Sequence, residues 1–222
     1  MTTVKPATGR GPSWTVQAPR LLFLCAVAAV TTGMVVHLRD AGNTVDLVAG
    51  ILAACYLAWL AVEIPVTFRK STAPPSESAT LLLYATARIA TAAAAVLGPL
   101  PWDGWSWALL APALLFVGGV VLRQVAIHTL GRFYSHHVMR QQDHQIVTYG
   151  LYRFIRHPAY AGMLLAHAGF VAFFLNPVSV VLLALLAAAI TFRIRTEERM
   201  LMNIPGYSAY AAGHARLVPG VW

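Results

Sequence analysis

The residues able to do chemistry cluster between His144 and Gly162, in the run HQIVTYGLYRFIRHPAYAG. Two histidines, two arginines, three tyrosines, two glycines and a proline stand there between long apolar blocks. Ionisable groups beside hydrocarbon are costly enough to mark function. A second set lies further on: Arg193 and Glu197 share a helical face, while Arg195, Glu198 and Arg199 point elsewhere. An i,i+4 salt bridge closing a helix end would account for that pair, yet acids number only eight in the chain, which gives the 197–198 dipeptide weight. Arginine, glutamate, histidine and tyrosine gathered at one membrane face suit a zwitterionic, ribose-bearing cofactor. Arginine or histidine would hold a carboxylate, glutamate would accept from ribose hydroxyls, and tyrosine would cover an adenine.

The elements that position these groups are apolar. Of 222 residues, 58% are hydrophobic and 11% charged, with mean hydropathy +0.64, which fits an all-α, polytopic helical membrane protein and not a soluble domain. About six spans are expected: 21–38, 45–68, 79–97, 105–127, 158–175 and 178–199. Residues 1–20 read as a cytoplasmic arm, 71–78 as a linker, and 128–157 as a long cytoplasmic segment too polar to span. Residues 1–127 thus form an N-terminal arm with four spans, and 128–222 a catalytic region ending in a helical hairpin and tail. No cleavable signal stands out, so the first span is expected to stay. The net charge of +8 would suggest nucleic acid in a soluble protein; here it reads as positive-inside bias, with no nucleic-acid partner. Lys5, Arg10, Arg20, Arg69, Lys70, Arg123, Arg132, Arg140, Arg153, Arg156, Arg193, Arg195, Arg199 and Arg216 fall on the predicted inner side, against Arg39 outside. Both termini and the site are therefore expected at the cytoplasmic face, and the alanine-rich composition hints at a high-GC bacterial membrane. Arg88, inside span three, is either a functional intramembrane charge or, as the favoured reading, snorkels or pairs with Glu63. Cys25 and Cys55 read as lipid-facing or core thiols. Histidines 128, 136 and 137 lack companion ligands, so no metal is assigned. Oligomeric state leaves no sequence signal.

The order His144-x-Ile146-Val147-Thr148-x-Gly150-x-Tyr152, then Arg156-His157-Pro158-x-Tyr160-x-Gly162, Arg193-x-x-x-Glu197-Glu198 and Gly206-Tyr207-x-x-Tyr210 resembles the isoprenylcysteine carboxyl methyltransferase family, within a wider group that includes phospholipid N-methyltransferases. The resemblance covers the last hundred or so residues. It implies an S-adenosylmethionine-dependent methyltransferase, with His144, Gln145, Ile146, Val147, Tyr152, His157, Pro158, Ala159, Tyr160 and Glu197 contacting the cofactor. Arg193 would face the substrate, and Arg193, Glu197 and Arg156 would carry catalysis. Ile146 replaces the usual leucine and Ala159 a common serine, both changes that keep backbone contacts. A glutamine used by some members has no clear counterpart among His137, Gln141 and Gln142.

Methyl transfer from a sulfonium needs close approach and exclusion of water. A carboxylate acceptor requires no general base and could be held by Arg193 or Arg156, whereas an amine or phenol would need Glu197 or Glu198 as proton acceptor. A lipophilic substrate entering from the bilayer fits either. No glycine-rich strand-to-helix loop occurs, which argues against a Rossmann cofactor domain. An NADPH-dependent sterol-type reductase would share the arginine-histidine-proline turn, but such enzymes have asparagine and glutamate where this chain has Ala159 and Met163. A transporter or assembly factor would thread polar residues through several spans, and spans one, two and four are nearly empty of them. His167 either lines the same cleft as Tyr160 or, as is more frequent for a buried histidine, bonds a backbone carbonyl, and Tyr207 and Tyr210 either close over the cofactor or anchor the tail.

Overall fold

The computed structural model describes residues 13–40, 42–68, 75–131, 146–220 and 222. His144, Gln145, Lys5, Arg10, Arg69, Lys70, Arg132, His136, His137, Arg140, Gln141 and Gln142 lie outside the described residues. Helices α1 (Ser13–Arg39), α2 (Thr44–Val62), the short α3 (Ile64–Thr67), α4 (Pro75–Leu97), α5 (Leu110–Leu130), α6 (Pro158–Phe174), α7 (Pro177–Leu201) and the tail helix α8 (Tyr207–Gly213) follow in order. Among the described residues there is no strand, only an isolated parallel bridge between Ile155 and Ala215.

Among the described residues, five helical segments are long and apolar enough to cross a membrane: Gln17–Arg39, Thr44–Val62, Ala79–Leu97, Trp107–Leu130 and Pro177–Leu201. The sixth expected span is α6, of 17 residues, at the short limit for a crossing. The chain is thus a polytopic helical membrane protein, with α6 shorter than the five segments above. Cys25 and Cys55 are exposed on the bundle surface.

Local signals explain most helix ends. The Asn43 side chain accepts from the Val45 N–H (3.0 Å) at the start of α2, and Asn176 accepts from Ser179 N–H (2.9 Å) at the start of α7. Pro158 and Pro177 occupy first helical turns, where the missing N–H costs nothing. Three boundaries differ from expectation. Helix α1 begins at Ser13, inside the presumed arm, because one interior proline, Pro19, removes a single i→i−4 bond and an apolar segment absorbs it. Helix α4 begins at Pro75, within the presumed linker. Span two stops at Val62 and not at Phe68, since Pro65 opens the separate α3 and leaves Glu63 at the joint.

Helices α5 and α6 touch backbone to backbone. A Cβ on Gly162 would lie 2.6 Å from Arg123 N, one on Gly119 2.2 Å from Ala166 N, and one on Gly169 2.3 Å from Phe116 N. Small residues at such spacing let membrane helices approach closely. This contact buries Gly162, Met163, Ala166, Gly169, Phe170 and Phe173 and makes α6 the central helix. At the bundle end holding the hairpin turn, the Asn176 amide donates to Ala94 O (2.9 Å) and Trp102 Nε1 to Phe173 O (2.6 Å). The opposite end gathers the end of α2, the start of α6 and the end of α7 around polar side chains.

One charge is placed differently from expectation. Arg123, counted with the inner-side cations, is fully buried inside α5, where its Nε and Nη2 meet Glu63 and its Nη1 donates to Ala159 O (3.2 Å). Hydropathy treats it as an isolated cation; a carboxylate partner and a carbonyl make the interior tolerable.

Gly162→Ala should lower thermal stability in detergent by about 1–3 kcal/mol, because backbone atoms cannot retreat from the new methyl. Gly118→Ala, on the same helix pair with nothing within 4 Å of the added Cβ, should be neutral or slightly stabilising. Equal losses in the two variants would refute the close-contact argument.

Candidate active site

The polar end of the bundle carries three linked clusters. The innermost centres on Glu63, 1% exposed. It accepts from Arg88 Nη1 (2.7 Å), Arg123, Trp59 Nε1 (2.8 Å) and Gln124 Nε2 (3.3 Å). The expected Arg88–Glu63 pair is therefore present, inside a larger group. Nearby, His167 Nδ1 contacts Met163 O (2.9 Å), and its Nε2 meets the Tyr56 hydroxyl at 3.1 Å.

The middle cluster joins α6 to α7. The Tyr160 hydroxyl donates to Glu197 Oε1 (2.5 Å) and accepts from Arg193 Nε (2.6 Å), while Arg193 Nη1 donates to Thr80 Oγ1 on α4 (3.2 Å). Arg193 and Glu197 form the expected i,i+4 pair at 3.2 Å. Arg193, expected to face the substrate, is 2% exposed and has its Nε and Nη1 engaged within the protein. The Glu197 side chain keeps 15% exposure.

The outer cluster belongs to Glu198. Its carboxylate receives Arg156 Nη1 (2.8 Å) and His157 Nε2 (3.1 Å) on Oε1, and Arg216 Nε (2.8 Å) on Oε2. The His157 side chain makes no capping bond; its carbonyl instead accepts from Tyr160 and Ala161 N–H at 3.1 Å each. Backbone bonds fasten the tail to this turn, from Arg156 N–H to Ala215 O (2.8 Å) and from His157 N–H to Arg216 O (2.9 Å). The Tyr210 hydroxyl donates to Tyr152 O (2.6 Å), and Tyr207 is buried. Both tail tyrosines thus hold the tail against the protein. Burial pushes the Tyr210 hydroxyl up to about 12, with Arg156 opposing the shift, and pushes Tyr207 up as well.

Of the residues expected to contact a cofactor, Val147, Tyr152 and Ala159 pack together against Ala126 and Ile127 of α5. Ile146 lies beside Gly206, whose positive φ of 85° turns the chain into α8. Pro158 is buried in the first turn of α6, and the His157 and Tyr160 rings sit 6.1 Å apart between the middle and outer clusters.

Residues 112–203 match the Isoprenylcysteine carboxyl methyltransferase (ICMT) family. The chain is similar to protein-S-isoprenylcysteine O-methyltransferase A of Arabidopsis thaliana, 35% identical over 113 residues covering 49% of this chain and 57% of the plant protein. Similarity extends to the protein-S-isoprenylcysteine O-methyltransferases of Saccharomyces cerevisiae (37% over 93 residues, 40% of this chain and 39% of that protein) and Rattus norvegicus (32% over 116 residues, 51% and 40%). The chain spans about half the length of the curated relatives it matches. The family resemblance carried by the motifs is borne out, and the matched stretch begins inside α5, so α1, α2 and α4 lie outside it.

Sequence reasoning missed Glu198 as the hub of the outer cluster, Arg216 as its tail partner, and Thr80 and Arg123 as contributors from other helices. The scarcity of acids was a usable signal, since Glu63, Glu197 and Glu198 all turn out to organise cations.

Glu198→Gln should weaken the bonds to Arg156, His157 and Arg216 together and expose residues 203–222 to limited proteolysis, whereas Glu197→Gln should leave the tail protected. Equal cleavage of both variants would remove Glu198 from this role. The Tyr210 hydroxyl is held neutral in the docked tail, so its contribution is whole below about pH 10 and declines as pH rises from about 10 through about 12. Tail protection in the parent should fall across that window, and Tyr210→Phe should flatten the fall.

Proposed function

We propose that the chain is an integral membrane methyltransferase that uses S-adenosylmethionine to methylate the carboxylate of a lipophilic, isoprenoid or lipid acceptor entering from the bilayer. The observation that carries this reading is the junction of α6 and α7, where Tyr160 stands between Arg193 and Glu197 beside the Arg156–His157–Glu198 turn. The relatives named above are protein-S-isoprenylcysteine O-methyltransferases, and the family match over residues 112–203 covers this junction. In this reading 1–127 embeds and supports, 128–222 is the catalytic region, and both termini and the site face the cytoplasm across a bacterial cytoplasmic membrane.

The donor set suits such a cofactor. Among the described residues Arg156 Nε is buried without a hydrogen-bond partner and is available, with His157, to a carboxylate. Both partners of Glu197 bond Oε1, which leaves its second oxygen for a ribose hydroxyl. His144, Gln145, Ile146, Val147, Tyr152, Pro158 and Ala159 complete the contact set, and Tyr149 and Phe154 offer exposed rings. When bound, S-adenosylmethionine supplies an electrophilic sulfonium methyl. Arg193 then acts by holding the Tyr160 hydroxyl and Glu197 in place, and the buried surroundings exclude water.

The state of the acids favours an acceptor with no proton to lose. Glu198 is tied to three cationic or histidine donors and Glu197 to an arginine and a hydroxyl. Both acids are already engaged as acceptors in these contacts, and an amine or phenol would need one of them as proton acceptor.

S-adenosylhomocysteine should raise the melting temperature in detergent and NADPH should not. Stabilisation by NADPH alone would favour a reductase, and by neither a non-catalytic membrane protein. Glu197→Gln should weaken S-adenosylhomocysteine binding about ten- to a hundredfold, as expected for a lost charged hydrogen bond.

A further inference from the structure

Thr80, Tyr84 and Arg88 recur every fourth residue along α4 and so form one stripe of that helix. At its outer end Thr80 accepts from Arg193. In the middle the Tyr84 ring meets the Tyr160 ring edge-on, centroids 6.0 Å apart. At the inner end Arg88 gives Nη1 to Glu63 and sits over the Trp59 ring, 4.6 Å from its centroid.

Among the described residues, three atoms of this stripe are buried without a hydrogen-bond partner: the Tyr84 hydroxyl and Arg88 Nε and Nη2. Such groups are rare in folded proteins and ask for a ligand. The Trp59 ring attracts the guanidinium charge but has no lone pair to accept in-plane N–H bonds. Charge points the same way, because Glu63 serves both Arg88 and Arg123 and the group carries one more cation than anion. The geometry is more specific still. Nε and Nη2 form one edge of the guanidinium fork, the edge that binds a carboxylate by two parallel bonds. Arg123 presents that same edge to Glu63; among the described residues Arg88 Nε and Nη2 make no hydrogen bond, although the Tyr56 hydroxyl lies close to the guanidinium.

We infer that the Tyr84–Arg88 stripe of α4 is an anion subsite that takes the carboxylate head group of the lipophilic acceptor. Arg88 Nε and Nη2 hold the two oxygens, and the Tyr84 hydroxyl donates to one of them. Tyr84 lies against Tyr160, so the head group is delivered beside the residue placed in the cofactor site. Arg88 sits one helical turn, about 5.4 Å, deeper than Tyr84. The fate of the bound head group rests on the methyltransferase reading; its binding does not.

The test uses the full chain in phosphatidylcholine nanodiscs, with farnesylthioacetic acid and its uncharged primary amide as probes and S-adenosylhomocysteine titrated separately. The parent should bind the acid at least tenfold more tightly than the amide. Tyr84→Phe removes a hydroxyl with no hydrogen-bond partner among the described residues, so its melting temperature should hold or rise while acid affinity falls about tenfold and amide affinity stays. Arg88→Lys keeps a cation beside Glu63 but loses the fork edge, and should abolish the preference for the acid. Equal binding of acid and amide by the parent, or an undiminished preference in Tyr84→Phe, overturns the subsite. Loss of the acid preference when phosphatidylglycerol is added assigns the edge to lipid phosphate and overturns it too. S-adenosylhomocysteine binding without acid preference sinks the subsite alone. Acid preference that depends on Tyr84, without S-adenosylhomocysteine binding, keeps the subsite and sinks the methyltransferase reading.

Discussion

A single carboxylate, Glu63, ties together the helices that build the polar end of this bundle. It sits at the end of α2 and accepts from Arg88 on α4 and Arg123 on α5, and Arg123 reaches on to the first turn of α6 through Ala159 O. Removing one member of a buried ionic group leaves the others uncompensated, typically at 3–5 kcal/mol. The arrangement fixes where four helices meet, which a uniformly apolar interface would leave less defined. It also explains why α2 stops where it does: Pro65 ends the helix so that Glu63 can turn inward at the joint.

Glu198 repeats the device nearer the surface. Where Glu63 joins membrane helices, Glu198 joins the end of α7 to a turn some forty residues earlier and to the tail beyond it. Glu197, its neighbour, engages Tyr160 and Arg193 instead. Adjacent acids on a helix diverge by about 100°, so one residue faces the interior network and the next the docked tail. Two consecutive glutamates therefore anchor two different sets of groups.

The helices were legible because long apolar runs are a strong local signal, and so were Pro158 in the first turn of α6, the Arg88–Glu63 pair, and His167 on a backbone carbonyl. What escaped was relational. The helical wheel separates Glu197 from Glu198 but does not say which face meets a tail whose contacting residues lie eighteen positions on. Arg123 looks like an ordinary flanking cation until a partner sixty positions earlier is brought to it. The start of α1 at Ser13 was hidden by Pro19, since proline reads as a breaker even where the surrounding segment carries it.

The shortness of α6 has a mechanical consequence. Seventeen residues rise about 25 Å, less than the roughly 30 Å of a bilayer's hydrocarbon, and the hairpin end is pinned to α4 and to Trp102. The shortfall therefore falls at Pro158. In a bilayer of that thickness this end would lie as a dimple in the oil, with the charged turn as its floor, and thinning of the surrounding lipid is the ordinary response to such mismatch. A water-soluble molecule descending into the dimple and a chain diffusing sideways in the leaflet would meet at one depth, without either being lifted across the headgroup layer.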